Sequence, residues 1–413
     1  MPALDDLRHI IRRIENTRAP TVAAESVERV LGGDIVETGS GALLVVRHDY
    51  PMSHVVGRHD LAAAFSLSAE HFTLIAPAGE EPRDPARLLF LDAETTGLAG
   101  GTGTYAFLVG AGRVEGDRFV VTQYFMRDLD EEPALLEALA PLLENAGGLV
   151  TFNGGTFDLP LLETRFVLGR RRWPPSPVHL DLLRPARKVW LTTLPDCRLA
   201  TLERDILGRL REDDVPGAII PALYFQYLRT RRAHPLARVL AHNRDDILAV
   251  VALLGWFASA LDAPNGLAPR ELLGLGRLWE TRDVDRALAY YREALGAGLS
   301  GMAAHWASLR IAAWEKRRER WDAACALWES AVTAETFDPR PWEELAKFHE
   351  HRARDLAAAH RVVTTALDRA LTATVPARVI DAFTHRLRRL DRRLAAFAGA
   401  ELTALAPDVT SLS

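Results

Sequence analysis

Three segments of this chain place acidic side chains at the ends of apolar runs. LLFLDAETTGL carries Asp92 and Glu94, VTFNGGTFDLPLL carries Asp158, and LAHNRDDILAVVALL carries Asp246. Burying a charged carboxylate is costly unless it is paired or holds a metal ion. The apolar runs therefore predict buried strands and helices, and the acids predict a polar or metal site where those elements end.

The composition is that of an ordinary globular protein. At 413 residues, with 48% hydrophobic and 25% charged residues, the chain is long enough for two or three domains. The opening MPALDDLRHIIRRIE lacks a secretion-signal pattern, and the apolar run from Ile247 to Leu261 is too short and broken to span a bilayer. Cys197 and Cys325, the only cysteines, exclude a thiol zinc cluster and a disulfide framework. We expect a cytoplasmic protein with no membrane partner.

The order of apolar and turn-forming segments predicts the domain organisation. Residues 1–75 form a small N-terminal region of unassigned role, and residues 76–87, rich in proline, glycine and charge, form a linker. Residues 88–260 alternate strand-like, hairpin-like and helix-like segments, which favours an α/β domain with a mixed sheet flanked by helices. Residues 271–395 are predicted to be wholly helical, and residues 396–413 form a tail.

The helical segment contains a degenerate repeat. The pattern Ala287-x3-Tyr291-x2-Ala294 recurs from Ala324 and from Ala359, at spacings of 37 and 35 residues. These spacings are close to the roughly 34 residues of a tetratricopeptide (TPR) repeat. We therefore expect an all-α, TPR-like domain whose stacked helical pairs offer a groove for a peptide, for self-association or for nucleic acid.

Charge is distributed unevenly along a chain whose net charge is −5. Residues 88–164 contain 3 basic and 12 acidic residues, whereas residues 165–238 contain 15 basic and 7 acidic residues. This asymmetry is compatible with a cationic track beside an anionic metal site, as nucleic-acid binding requires. It is equally compatible with arginines that cover solvated helix faces.

The spacing of the acids suggests a metal site. Asp92 and Glu94 lie on one face of a strand, roughly 6.5 Å apart, so that one carboxylate can bridge two ions while the other binds one. His242 and Asp246 are one helical turn apart on a shared face. Several oxygen ligands suit Mg²⁺ or Mn²⁺, and a close pair of ions suits phosphodiester cleavage.

Taken together, these motifs resemble those of the DEDD-type exonucleases with an RNase H-like fold, and specifically the YprB-like family. The resemblance covers roughly residues 88–254, through FLDAETTGL, QYF, VTFNGGTFDLPLL, HLDLL, CRLATLE and HNRDDILAV. It implies an α/β RNase H-like core and a 3′→5′ exonuclease that hydrolyses DNA or RNA with two Mg²⁺ or Mn²⁺ ions per site.

The resemblance also implies roles for individual residues. His242 corresponds to the general base. It stands in the position that a tyrosine occupies in one type of proofreading exonuclease, and the following residue, Asn243, also matches that type. Asp245 is an alternative ligand if the helix register shifts. The implied metal ligands, which are also catalytic, are Asp92, Glu94, Asp158 and Asp246. The candidates for substrate contact are Thr95, Gly97, Asn153, Phe157 and Arg171.

Some of these candidates have a structural interpretation as well. Asn153 is typical of a residue that stabilises a turn, Arg171 of an exposed basic corner, and His242 of a core histidine bonded to a carboxylate. Two other functions stay open: an inactive nuclease-fold adaptor that acts through its repeats, and a structure-selective endonuclease.

Overall fold

The computed structural model divides into two compact units. The first comprises Met1–Leu267 and Gly274–Val284, and the second comprises Ala268–Leu273 and Asp285–Ser413. The first unit contains a seven-stranded mixed sheet flanked by helices, and the described part of the second unit is helical. The predicted architecture, an α/β core with a mixed sheet flanked by helices and an all-α C-terminal region, is confirmed. The residues that the structure describes are 26–77, 85–97, 102–174 and 178–404.

The strands, numbered in chain order, are β1 (Asp34–Thr38), β2 (Gly41–Pro51), β3 (Val55–Val56), β4 (His59–Asp60), β5 (Leu88–Thr95), β6 (Ala106–Glu115), β7 (Arg118–Phe125), β8 (Gly148–Thr151) and β9 (His179–Asp181). Seven of them form one sheet in the order β1-β2-β7-β6-β5-β8-β9, and β3 pairs with β4. The central strand β5 is antiparallel to β6 and parallel to β8. The sheet is therefore mixed, as the sequence predicted.

The helices of the first unit are α1 (Val27–Leu31), α2 (Ala69–Ile75), α3 (Glu132–Asn145), α4 (Asp158–Leu168), α5 (Leu183–Trp190), α6 (Leu199–Leu202), α7 (Ile220–Thr230) and α8 (His234–Asp262), followed by α9 (Pro269–Trp279), whose residues are divided between the units. From β5 to α4 the chain follows the predicted order of strand, hairpin, helix, strand and helix.

Strand β5 changes character along its length. Its first half, Leu88 to Leu91, is buried and wholly apolar, as expected for a central strand covered on both faces. Its second half, Asp92 to Thr95, is less buried and carries the acids. The pairing with β6 shifts register between Glu94 and Thr95, an irregularity that often accompanies a functional strand end.

Helix α8 packs unusually close to the sheet. A Cβ atom added at Gly110 of β6 would lie 2.4 Å from both the Oδ1 atom of Asn243 and the Cδ1 atom of Ile247. Only glycine permits this approach, because any larger residue would push the helix away from the strand. The apolar second half of α8, from Ile247 onward, is almost entirely buried and holds the helix in place.

The N-terminal region contributes to the same sheet. Strand β2 pairs antiparallel with β7, from Leu44 opposite Phe125 to Pro51 opposite Arg118, and β1 pairs with β2. Residues 1–25, and residues 78–84 of the predicted linker, lie outside the described residues. The predicted domain boundaries stay a proposal.

The helices of the second unit, besides its part of α9, are α10 (Val284–Gly296), α11 (Gly301–Arg317), α12 (Trp321–Val332), α13 (Pro339–His351), α14 (Leu356–Thr372) and α15 (Ala377–Ala404). Helices α11 to α15 each pack against the next in the chain. The small and large residues of the predicted repeat, such as Ala287, Tyr291, Ala324 and Trp328, are buried. Across the parts of the chain that the structure describes, no helix is both long and apolar enough to cross a membrane.

Candidate active site

The four predicted acids come from three elements that meet at the carboxyl end of β5. Asp92 and Glu94 belong to β5, Asp158 is the first residue of α4, and Asp246 lies on α8 one turn after His242. The Asp92 carboxylate interacts electrostatically with the carboxylates of the other three acids. The fold thus brings together side chains that are up to 154 residues apart in the sequence.

Three of these carboxylates are protonated more readily than usual. Burial, followed by the charges of Asp246, Glu94 and Asp158, raises the pKa of Asp92 well above its usual range. Burial also raises the pKa of Glu94 to about 8, although the nearby His242 opposes this effect. The pKa of Asp158 is raised to about 7, again mainly by burial. Such a cluster of like charges takes up either protons or a cation.

Two buried amides connect α8 to the strands. Asn243 donates from Nδ2 to the Oδ2 atom of Asp92 at 2.7 Å and to the Asp92 carbonyl oxygen at 3.1 Å. Gln123 on β7 donates from Nε2 to the Oδ1 atom of Asn243 at 2.8 Å and to the Leu240 carbonyl oxygen at 2.7 Å. This chain of hydrogen bonds orients the Asn243 amide so that its nitrogen faces Asp92.

His242 lies among three carboxylates. Its Nδ1 atom is 2.7 Å from the Oδ1 atom of Asp214, while its Nε2 atom is 3.9 Å from Glu94 Oε1 and 3.7 Å from Asp246 Oδ2. Burial lowers the pKa of His242, but Asp246, the hydrogen bond to Asp214 and Glu94 together raise the pKa above its usual value. The bond to Asp214 fixes the ring so that Nε2 faces the acids.

Arg211 supplies a buried positive charge at this site. Its Nη2 atom is 2.6 Å from both Asp246 Oδ1 and Glu203 Oε2, and its Nη1 atom is 3.6 Å from Asp214 Oδ2. Only 10% of the Arg211 side chain is exposed. Arg211 therefore links the segment that carries Asp214 to helix α8.

Sequence reasoning missed Arg211 and Asp214, and it assigned no role to Glu203, the last residue of the CRLATLE motif. The only signal for the first two is the run REDD at residues 211–214, and a mixed-charge run of this kind is typical of a solvated loop. Asp245, the alternative ligand, is paired with Arg209 at 3.1 Å and with Arg244 at 3.2 Å. The structure therefore directs Asp246, rather than Asp245, toward His242.

The acidic cluster suits a divalent cation by its chemistry. Carboxylate oxygens are the ligands that Mg²⁺ and Mn²⁺ prefer. A cation would offset both the cost of burying the carboxylates and their mutual repulsion, which raise the carboxyl pKa values. As the side chains stand, no group of three or more His, Cys, Asp or Glu residues within the described ranges has the arrangement of a metal site. Arg211 contacts the Oδ1 atom of Asp246, whereas the Oδ2 atom faces His242, so Oδ2 is the oxygen through which Asp246 would bind an ion.

The candidates for substrate contact divide into two groups. Thr95 Oγ1 donates to the Gly97 carbonyl oxygen at 2.8 Å, directly after the acids of β5. Phe157, which precedes Asp158, is 53% exposed. These three residues adjoin the cluster, whereas residues 98–101 of the following loop lie outside the described part of the chain.

Asn153 and Arg171 have structural partners. Asn153 adopts a left-handed backbone with φ 67°, and its N–H donates to the Oδ1 atom of Asp181 at 2.7 Å, so it stabilises the turn before α4. The Nη2 atom of Arg171 is 2.9 Å from Glu137 on α3 and 2.6 Å from Ser40 Oγ in the turn between β1 and β2. The structure thus engages Arg171 at the β1 edge of the sheet and not with the four acids.

The sheet order and the acidic site define an RNase H-like protein, and comparison with known proteins agrees. The RNase H superfamily matches residues 89–258, which include all three acidic motifs. The Bacillus subtilis (strain 168) protein named Uncharacterized protein YprB is 31% identical over 338 residues, which cover 78% of this chain and 80% of that protein. The chain therefore belongs to the YprB family of the RNase H superfamily. Membership of this superfamily supports a nuclease-type function.

Proposed function

We propose that this protein is a divalent-metal-dependent nuclease of the DEDD type, which hydrolyses DNA or RNA as a 3′→5′ exonuclease. The observation that supports it most is the meeting of four acids from three elements, three of them with raised pKa values. Strongly perturbed carboxyl groups are typical of functional sites. An adaptor would gain nothing from a buried cluster of mutually repelling charges.

Each side chain of the cluster has a place in this chemistry. Two Mg²⁺ or Mn²⁺ ions held by Asp92, Glu94, Asp158 and Asp246 would stabilise the negative charge that develops on the reacting phosphate. His242 accepts a proton at Nε2 from the attacking water, and Asp214 holds the imidazole in the required orientation.

The proposed substrate contacts adjoin the acids. The exposed ring of Phe157 stacks on a base near the 3′ end, since aromatic rings bind unpaired bases in this way. Thr95 and Gly97 border the scissile phosphate, and Asn153 shapes the turn beside it. The helices of residues 271–395 act as TPR-like repeats that hold nucleic acid, a protein partner or a second copy of the chain.

Labelled single strands test the reaction directly. With Mn²⁺ or Mg²⁺ we expect 3′-labelled and 5′-labelled DNA or RNA to be shortened from the 3′ end, and we expect EDTA to stop the reaction. Circular single strands are the control, because an exonuclease needs an end. Cleavage of the circles would support the endonuclease, and intact substrates of every kind despite measurable metal binding would favour the adaptor.

Thermal stability provides a test of metal binding that does not depend on activity. Glu94 and Asp158 have pKa values of about 8 and about 7 in the folded protein, above their usual values of 4.5 and 3.8. The folded state therefore retains protons that the unfolded state has lost, so stability falls as the pH rises from about 4 to about 8. In EDTA we expect the melting temperature to fall by at least about 3 °C between about pH 5.5 and pH 8, since one pKa unit is worth about 1.4 kcal/mol.

Adding Mn²⁺ should reverse this loss, and its stabilising effect should be larger at about pH 8 than at about pH 5.5, because the ion competes with the bound protons. Differential scanning calorimetry measures both trends. A melting temperature that does not respond to Mn²⁺ at either pH would contradict the proposed ligand set.

A further inference from the structure

The second unit contains two adjoining concavities with similar linings. The first has a volume of about 460 Å³ and contains the cations Arg310, Lys316, Arg317 and Arg340. The second has a volume of about 320 Å³, shares Lys316 with the first, and adds Lys347, Arg352, Arg386 and Arg389. These eight residues define what we call the basic groove, which runs along α11, α13 and α15.

Positive charge in the groove exceeds what its ion pairs neutralise. The acids in its lining are Glu343 and Glu344, and Glu344 contacts both Lys316 and Lys347. Arg386 and Arg389 surround the buried carboxylate of Glu350, and therefore also have a structural role.

Arg340 pairs with Asp338, which also caps α13. Arg352 contacts Glu319 at 3.6 Å. Even with Asp338, Glu350 and Glu319 included, the eight cations outnumber the five acids. A protein whose net charge is −5 thus carries a local basic surface.

Aromatic rings lie between these cations. Trp321 and Phe348 line the second concavity and are stacked, with ring centroids 5.9 Å apart and an interplanar angle of 28°. The Arg352 guanidinium lies 4.9 Å from the centre of the Trp321 ring, and Trp306 lines the first concavity. Cations that track a phosphate backbone, interleaved with rings that stack on bases, are the combination that binds single-stranded nucleic acid.

We propose that the basic groove binds single-stranded nucleic acid, with its cations on the phosphates and its aromatic rings on unpaired bases. A double helix would leave the rings without a partner, because its bases are already stacked on one another. Trp321 and Phe348 are half-buried and also pack against the hydrophobic cluster around Trp328. An acidic protein segment would match the charge but would make no specific use of the parts of these rings that remain exposed. The choice of nucleic acid over protein also rests on the proposed nuclease function.

Binding by the full-length protein in EDTA tests the groove without cleavage. We would measure fluorescence anisotropy of labelled single-stranded DNA and RNA at several salt concentrations. The groove variant combines Arg317→Gln, Lys347→Gln and Arg352→Gln, all partly or fully exposed side chains. The matched control combines Arg361→Gln, Arg378→Gln and Arg388→Gln, which are exposed on the same unit but do not line the groove.

We expect the groove variant to bind about tenfold or more weakly than the wild type at about 0.1 M salt, while the control binds normally. The slope of log K against log salt should fall by about 2, because each phosphate contact on a single strand contributes about 0.7. Thermal melting of both variants establishes that the fold is intact.

Equal binding by the groove variant and the control would overturn the proposal. The proposal would also be overturned if the wild-type protein bound neither single-stranded DNA nor single-stranded RNA but bound polyglutamate through the groove. That result would indicate an acidic protein partner. Because these measurements exclude divalent ions, failure of the proposed nuclease chemistry leaves them unchanged. If the protein cleaves nucleic acid and the groove variant binds it as tightly as the wild type does, the proposed role of the basic groove is wrong and the proposed nuclease function still holds.

Discussion

Replacing Asp92 with asparagine is expected to abolish metal-dependent cleavage and to raise the melting temperature of the metal-free protein. Burial and repulsion from three neighbouring carboxylates both oppose the charge of Asp92 and raise its pKa well above the usual range. Asparagine retains an oxygen that can accept the hydrogen bond from Asn243 Nδ2, so the fold is preserved. A metal site weakened in this way loses several kcal/mol of stabilisation of the negative charge on the reacting phosphate, which corresponds to a rate loss of at least about 10³-fold.

A matched control separates the local effect from a change in net charge. Asp117, in the turn between β6 and β7, is exposed, and Asp117→Asn removes the same charge without touching the cluster. We expect the control to cleave and melt as the wild type does. Full activity in Asp92→Asn would show that Asp92 is not a metal ligand. A melting temperature lowered by as much as the loss of a buried apolar side chain would show that the Asp92 carboxylate stabilises the fold instead of straining it.

Replacing His242 with alanine is expected to slow cleavage by about 10²–10⁴-fold while leaving metal binding intact. This is the usual contribution of a positioned general base, and Nε2 of His242 faces Glu94 and Asp246 at 3.9 and 3.7 Å. Single-turnover rates at saturating substrate measure the effect, and the melting response to Mn²⁺ reports whether the ions still bind. A wild-type rate in this variant would remove His242 from the mechanism.

Asp214→Asn tests the same proton transfer, and its expected effect on the cleavage rate is smaller than that of His242→Ala. Asp214 contacts His242 Nδ1 at 2.7 Å and Arg211 Nη1 at 3.6 Å. We assign it a positioning role that is exerted through the imidazole. Loss of such a partner typically costs about 10–100-fold, and we expect the double variant with His242→Ala to be no slower than His242→Ala alone. Additive losses would indicate that Asp214 acts independently of His242.

The predicted fold class and the meeting of the four acids could be obtained from the sequence because their signals are local. LLFLDAE contains both the apolar run that makes β5 a central strand and the acids at its end. Helical periodicity around HNRDDILAV likewise puts His242 and Asp246 on one face of α8. No single motif indicates that the acids belong to one site. That inference came from the family resemblance, which covers several motifs together.

Other features depended on pairing between distant segments. Nothing within residues 41–51 indicates that β2 pairs with β7, more than 60 residues further along the chain, and so extends the sheet. Arg171 was a candidate for substrate contact by its charge, but its partners Ser40 and Glu137 lie on elements distant in the sequence.

The sequence by itself therefore determined the elements, the class of fold and the acidic motifs, since these depend on patterns within a few turns or strands. Only the tertiary structure decided that Asp214 orients His242, that Arg211 contacts Asp246, and that Gly110 lets α8 approach the sheet. The physical reason is that such contacts depend on strand register and helix packing. Those quantities are set by the whole buried core and not by any one segment.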